Sequence, residues 1–185
     1  MRPLFPQPAI PADAPAIAQL VNSAYRGDSS RRGWTTEADL LGGQRTDAEM
    51  LRETIETPGQ VILIFHDKDT LVASVFLARR GDSAYLGMLT VRPDLQGAGL
   101  GKQILALAER WAAEHWSANR IEMTVITKRV ELLAWYFRRG YHDTGRREPF
   151  PAQEPRLGLP MFSGLEMAVL ERDLVPYPFP QRALL

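Results

Sequence analysis

Three glycines within five residues, Gly97, Gly99 and Gly101, stand in the stretch MLTVRPDLQGAGLGKQILALAERWAAEHW. A strand-like run ends at Val91, Arg92-Pro93 turns the chain, and the glycines lead into a long segment of helical periodicity. Glycine lets a ligand come close to the backbone and reaches angles that other residues avoid. The first amides of a helix lack intrahelical acceptors and coincide with the positive end of its dipole. Together these features make a site for a phosphate or pyrophosphate. Gln96 and Lys102 flank the glycines and Arg92 precedes them, adding donors and positive charge. Spacing excludes two other phosphate motifs. A GxGxxG fingerprint begun at Gly97 meets Lys102 in its sixth place, and a Walker A loop would need Ser or Thr where Gln103 stands. A tight glycine turn without a ligand is the plain alternative.

Composition narrows the chemistry further. The 185 residues carry 22 Lys plus Arg against 22 Asp plus Glu, with 45 % hydrophobic and 24 % charged residues. That suits one globular domain with a sizeable core. A protein gripping a long nucleic acid would show a basic excess, so no nucleic-acid partner is expected. The absence of cysteine removes disulfides, thiolate metal sites and a cysteine nucleophile. His66, His115 and His142 lack ligand spacing, so no metal is expected. No run approaches the ~20 apolar residues of a membrane span, and MRPLFPQPAIP does not read as a signal peptide. A cytoplasmic location and no membrane contact are the expectations.

The elements that must position these residues follow from periodicity and punctuation. Prolines bunch in residues 1–11, 149–160 and 176–180, which read as an N-terminal arm, a long connection and a tail. A first helix is predicted from about Asp13 to Tyr25, with Ile17, Leu20, Val21 and Ala24 on one face. The polar stretch after it carries Trp34, Leu40 and Leu41, suggesting a short helical turn in a long loop. Thr46–Glu49, TDAE, reads as a capping box opening a helix through about Glu56. Strands are expected from Gln60 to His66, Leu71 to Arg80 and Ala84 to Val91. From about Ala98 to Ser117 the period becomes 3.6, with Leu100, Ile104, Ala108, Trp111 and His115 on one stripe. A strand from Arg120 to Ile126, a short helix from Arg129 to Arg139, a strand near YHDTGRRE and one from Leu165 to Arg172 complete the order. This is an α/β or α+β domain with a largely antiparallel sheet.

VRPDLQGAGLGKQIL closely resembles the acyl-CoA-binding motif of the GCN5-related N-acetyltransferase (GNAT) superfamily. The motif runs Gln or Arg, two residues, Gly, one residue, then Gly or Ala, and Gln96, Gly99 and Gly101 meet it. Downstream, AWYFRRGY (Ala134–Tyr141) resembles the end of the family's fourth helix, where a tyrosine precedes a glycine and an aromatic. The resemblance spans most of the chain, as one acyltransferase-like domain over residues 1–185 with a core from about 12 to 172. It implies a mixed, largely antiparallel sheet flanked by helices, with a splayed strand pair holding the cofactor. It implies acetyl-CoA as acyl donor, its pyrophosphate on the loop of Gln96, Gly97, Ala98, Gly99, Leu100, Gly101 and Lys102. Leu89, Thr90 and Val91 would hold the pantetheine arm through backbone groups. Tyr136 takes the place of the tyrosine beside the departing sulfur. Two departures stand out. Arg129 occupies a position where many members place an asparagine that helps hold the coenzyme, and AYLGMLTV lacks the acid some members use as a base.

The implied reaction is direct attack of a primary amine on the thioester in a ternary complex. Without cysteine there is no route through a cysteine acyl-enzyme, and nothing resembles a nucleophile elbow. Tyr136, an ordinary phenol near pKa ~10, would protonate the leaving thiolate; the other reading makes it a core aromatic. Glu37, Asp39 and Glu122 are the acids to take the amine proton, each with a solvated surface role as its alternative. The acceptor, a small-molecule or peptide amine, would meet the loop after the first helix and the late connection. Trp34, Arg31 and Arg45, with Arg26 and Arg32, could recognise a carboxylated or phosphorylated amine. Alternatively Trp34 anchors the loop and the arginines are solvated. Phe150, Pro160, Phe162, Tyr177 and Phe179 would rim the acceptor cleft or form a homodimer contact. The competing function is a non-catalytic acyl-CoA sensor or interaction module that keeps the phosphate loop without turnover.

Overall fold

The computed structural model describes residues 3–175. Nine strands and five α-helices follow one another: β1 (Gln7–Pro8), α1 (Ala14–Tyr25), α2 (Gly27–Arg31), β2 (Leu41–Gly42), α3 (Ala48–Glu56), β3 (Gln60–Asp67), β4 (Thr70–Arg80), β5 (Ser83–Val91), α4 (Leu100–Trp116), β6 (Arg120–Ile126), α5 (Val130–Phe137), β7 (His142–Pro149), β8 (Leu159–Pro160) and β9 (Glu166–Asp173). Seven strands form one sheet in the order β1-β3-β4-β5-β6-β9-β7, and β2 pairs with β8 in a two-residue ribbon. Every neighbouring pair is antiparallel except β5 and β6. The mixed, largely antiparallel sheet expected from the sequence is therefore present.

Alternation along the strands divides two cores between the sheet's faces. Leu63, Phe65, Val75, Leu77, Ile121, Met123 and Leu170 point to the face covered by α4 and α5. Ile62 and Ile64 face the other way, against Ile17 and Val21 of α1 and Leu51 of α3. The α1 stripe is as predicted: Ile17, Leu20, Val21 and Ala24 are all buried.

Four local readings are corrected. The first concerns α3, whose cap is Asp47, its carboxylate accepting from the Met50 N–H at 2.8 Å. Thr46 is instead buried against α1, where Asn22 bonds its backbone. The second is the buried stripe of α4, which runs through Ala112, with Trp111 half-buried against the core and His115 off it. His115 is exposed and stacks on Trp111 with ring centroids 4.2 Å apart. Third, the arm read in residues 1–11 contributes β1, adding an edge to β3 through Gln7↔Ile64 and Pro8↔Leu63. Fourth, the loop holds a helix, α2, ahead of Trp34 as well as the expected turn, in which the Leu40 and Leu41 N–H groups both donate to the Glu37 carbonyl at 2.9 Å before Leu41 enters β2. Tyr177 and Phe179 lie outside the described residues.

Candidate active site

The site forms where β5 parts from β6. Their pairing runs from Ser83↔Arg120 to Tyr85↔Glu122 and stops, leaving the rest of β5 without a neighbour on that side. The splayed strand pair that the family resemblance implies is thus present, parting just after Tyr85. A bulge sharpens it. Ser74 faces Thr90 while Phe76 faces Gly87, so β5 carries an extra residue there, and Met88 has a φ of 46°. Such a conformation costs roughly 1–3 kcal/mol in a non-glycine residue and persists only where its surroundings hold it. Here the Thr90 hydroxyl donates to the Met88 carbonyl at 2.9 Å, and the Tyr25 hydroxyl donates to the Leu89 carbonyl at 3.0 Å.

Two cavities open from this parting and meet at Tyr25, Leu89, Arg129, Leu132 and Tyr136. The larger, about 350 Å³, reaches along Leu89, Thr90 and Val91 to Gln96, Gly97, Gly99, Gly101 and Lys102. Gly99 caps α4 with a φ of 84°, and Gly97 has the same φ. Hydrogen bonding of α4 begins with the Gln103 N–H donating to the Gly99 carbonyl at 3.2 Å. Among the described residues, nothing accepts from the six amides of Gly97 to Lys102. A Cβ at Gly97 or Gly99 would meet nothing within 4 Å, so the glycines serve the backbone angle and leave open space above it. Gly101 differs: its Cβ would lie 3.4 Å from the Trp135 ring, so its small size lets α5 pack close to α4.

The side chains around the loop divide into those that shape it and those that face the cavity. The Gln96 amide donates to the Val91 carbonyl at 3.0 Å and accepts from the Trp34 N–H at 2.7 Å. It braces the loop rather than offering a spare donor. Arg92 is clasped by Asp94 and stays off the cavity wall. The positive charge facing this cavity comes from Lys102, Arg138 and Arg139, the last with its guanidinium 3.5 Å from the Trp135 ring centre. The basic pair was legible in AWYFRRGY but sequence reasoning missed it. Trp34, expected near the acceptor, lines this larger cavity, 6.3 Å from Trp135 between ring centres. Ala98 and Leu100, expected on the coenzyme loop, line neither cavity: Ala98 is exposed and the Leu100 side chain is buried in the core.

Tyr136 lines both cavities and is 5 % exposed. Its ring packs edge-on against Trp135 and Tyr141 at 4.9 and 5.5 Å. Burial pushes its phenol above the ordinary value of 10.0, and the neighbouring Tyr25 adds to the shift. Tyr25 is raised as well, by burial and then by the Glu37 charge. Tyr25 is half-buried at the end of α1 and lines both cavities.

The smaller cavity, about 220 Å³, has Tyr85, Met88, Thr124, Ile126, Phe150, Leu157 and Met167 on its walls. Three charged residues reach it: Glu37, Arg45 and Arg129. Glu37 is 6 % exposed, and its two carboxylate oxygens pair separately with Arg26 and with Arg129, the latter at 2.7 Å. Arg129 also donates to the Thr35 hydroxyl at 2.8 Å, and Arg26 to the Leu157 carbonyl at 3.0 Å. This buried cluster ties the loop after α1 to the start of α5 and to the late connection. Glu122 lines neither cavity; it is held by Arg80 and Arg146. Arg31 and Asp39 pair with each other in solvent, away from both cavities. Of the acceptor rim proposed from sequence, Phe150 is in place, whereas Pro160 and Phe162 lie outside the lining.

Comparison with known proteins agrees with this geometry. A family model described as "Acetyltransferase (GNAT) domain" matches residues 35–150. Similar solved structures include the ribosomal-protein-S18-alanine N-acetyltransferase from Escherichia coli (TM-score 0.67, 12 % identity, 96 % of this chain and 98 % of that one). An acetyltransferase from Thermus thermophilus (0.63, 20 %, 94 % and 98 %) is also similar. So is a spermidine N-acetyltransferase mutant from Vibrio cholerae (0.66, 13 %, 92 % and 93 %). No curated protein shows significant sequence similarity to the chain.

Proposed function

The chain belongs to the acetyltransferase (GNAT) domain family, and from that premise we propose that it transfers an acetyl group from acetyl-CoA to a primary amine by direct attack in a ternary complex. One observation carries this reading. Six amides at the mouth of α4 have no acceptor among the described residues, and four of the residues that carry them, Gly97, Gly99, Gly101 and Lys102, line the same cleft as a buried phenol. The amides and the dipole of a 17-residue helix suit a diphosphate, with Lys102, Arg138 and Arg139 supplying countercharge. The unneighboured edge of β5 suits the amide-bearing pantetheine arm, which would extend the sheet by strand-like pairing. That arm leads from the loop toward Leu89 and Tyr136.

At the junction of the cavities the amine nitrogen attacks the thioester carbonyl carbon, the C–S bond breaks and an amide forms. Orientation supplies much of the acceleration, because the reaction joins two bound partners. Main-chain N–H groups of Leu89–Val91 would orient the acetyl carbonyl. Tyr136 gives its proton to the departing thiolate, and burial keeps it protonated until then. The proton released by the amine passes toward Glu37, the one carboxylate among the described residues that lines the cleft. Each of its oxygens retains a second lone pair beyond its guanidinium partner, through which water can relay.

Calorimetry with CoA and desulfo-CoA tests the loop. Wild-type protein should bind both in the micromolar range, and Gly99→Asp should abolish binding by setting a carboxylate where the diphosphate lies. Retained binding would remove the loop from the site. A thiol-release assay across an amine panel tests transfer. A CoA sensor, the reading favoured by the pairing of each Glu37 oxygen with a guanidinium, predicts binding without acceptor-dependent thiol release.

A further inference from the structure

The smaller cavity holds one guanidinium that bonds no protein group among the described residues. Glu37 is neutralised by Arg26 and Arg129, and Arg129 is engaged in turn by Glu37 and Thr35. Arg45 is half-buried on the cavity wall, and among the described residues its guanidinium meets no carboxylate, carbonyl or hydroxyl. Two contacts hold it there. Its backbone N–H donates to the Asn22 side chain at 2.6 Å, and its guanidinium lies 5.8 Å from the centre of the Tyr25 ring. The hydroxyl end of that same ring touches Leu89, at the junction with the coenzyme cavity. A fixed cation therefore stands beside the aromatic whose far end reaches the reaction point.

We infer that the acceptor is a small amine that also carries a carboxylate, and that Arg45 binds that carboxylate. The inference rests on the transferase reading for the amine and on the cavity for the rest. Guanidinium and carboxylate match as paired donors and acceptors, and a half-buried setting strengthens the pairing. The cavity offers no unpaired carboxylate for an acceptor rich in ammonium groups, so polyamines are disfavoured. Met88, Ile126, Phe150, Leu157 and Met167 give it an apolar lining beside its polar and charged residues, with room for a side chain without charge. At about 220 Å³ it is smaller than the roughly 300–1,000 Å³ of drug-sized sites, which suits an amino acid with an apolar side chain better than a long peptide.

The test pairs turnover with binding. Acetyl-CoA-dependent thiol release is measured with leucine, methionine, phenylalanine and 5-aminovalerate, with leucinamide and phenethylamine as carboxylate-free counterparts, and with spermidine. Binding of N-acetyl-leucine and N-acetyl-leucinamide to the CoA-loaded protein is measured by calorimetry. At least one carboxylated amine should exceed its counterpart by roughly ten- to hundred-fold in kcat/KM, the usual reach of a charged hydrogen bond. Arg45→Gln should bring that ratio near one through KM, and Arg45→Lys should keep part of it. Equal use of leucine and leucinamide, a preference for spermidine, or an unchanged ratio in Arg45→Gln would overturn the inference and leave the transferase intact. Arg45-dependent binding of N-acetyl-leucine without turnover of any amine would uphold the carboxylate site and overturn the transferase. Absence of both binding and preference would overturn the inference.

Discussion

In the proposed mechanism Tyr136 is a proton donor, and its burial suits that role because it keeps the phenol protonated. A phenol pushed above 10.0 is a weaker acid than usual, yet it stays loaded with its proton across the neutral range. General acids of this kind contribute about 10²–10⁴-fold. Tyr136→Phe should thus lower kcat by roughly 100-fold while leaving CoA affinity little changed. Calorimetry and single-turnover kinetics separate the two, and unchanged turnover would retire the phenol from the chemistry. The same shift predicts the shape of the pH profile. Rate should climb as the amine acceptor loses its proton and should show no falling limb below about pH 10. A descending limb near neutrality would point to a different acid.

Three chain segments meet in the cluster of Arg26, Glu37 and Arg129, and it decides the cavity between them. Sequence reading entered Glu37 as a base and Arg129 as a coenzyme ligand; the fold joins them in one ion pair. Removing the carboxylate would leave two guanidiniums, 6 % and 11 % exposed, without their charge partner. Breaking a buried pair in this way typically costs about 3–5 kcal/mol. Glu37→Ala should therefore lower stability by that order in urea unfolding, a large share of the roughly 5–15 kcal/mol of a typical domain. Glu37→Gln, which keeps an acceptor oxygen, should cost less. Equal stability of Glu37→Ala and wild type would show that the pairs contribute little to holding the loops.

Behind the site, Tyr136 packs edge-on against Tyr141, whose hydroxyl donates to Glu109 of α4 at 2.8 Å, and Arg172 of β9 pairs with the same carboxylate. The end of α5 is thereby bound to a central helix and a far strand, so stability of the whole domain is linked to these phenols. Burial raises Tyr141 well above its ordinary value, with the Glu109 charge adding to it, and Tyr25 and Tyr136 are raised too. A raised folded value means the native state binds more protons than the unfolded chain between the two values. The stabilisation is complete below about pH 10, where the unfolded phenols ionise, and declines as pH rises toward the folded values. The thermal midpoint should fall steeply above about pH 10, with a shallower fall in Tyr141→Phe measured against its own neutral-pH value. A midpoint that ignored pH in that range would contradict the linkage.

Local patterns carried the α1 stripe, the strands around Gly81 and the strand-glycine-helix passage at Val91–Leu100, because periodicity and backbone freedom are properties of neighbouring residues. The same holds for Gly97 and Gly99, whose positive φ is a demand written in their own chemistry. Which charges remain unpaired is a different kind of fact. Arg31 and Arg45 look alike in the chain, yet one meets Asp39 in solvent while the other faces a cavity whose carboxylate, Glu37, is already paired with Arg26 and Arg129. Ion pairing joins residues as distant in sequence as Glu37 and Arg129, and burial sets its strength. Only the tertiary structure could therefore pick the brace at Gln96, the neutralised carboxylate at Glu37 and, among the described residues, the unpaired guanidinium at Arg45.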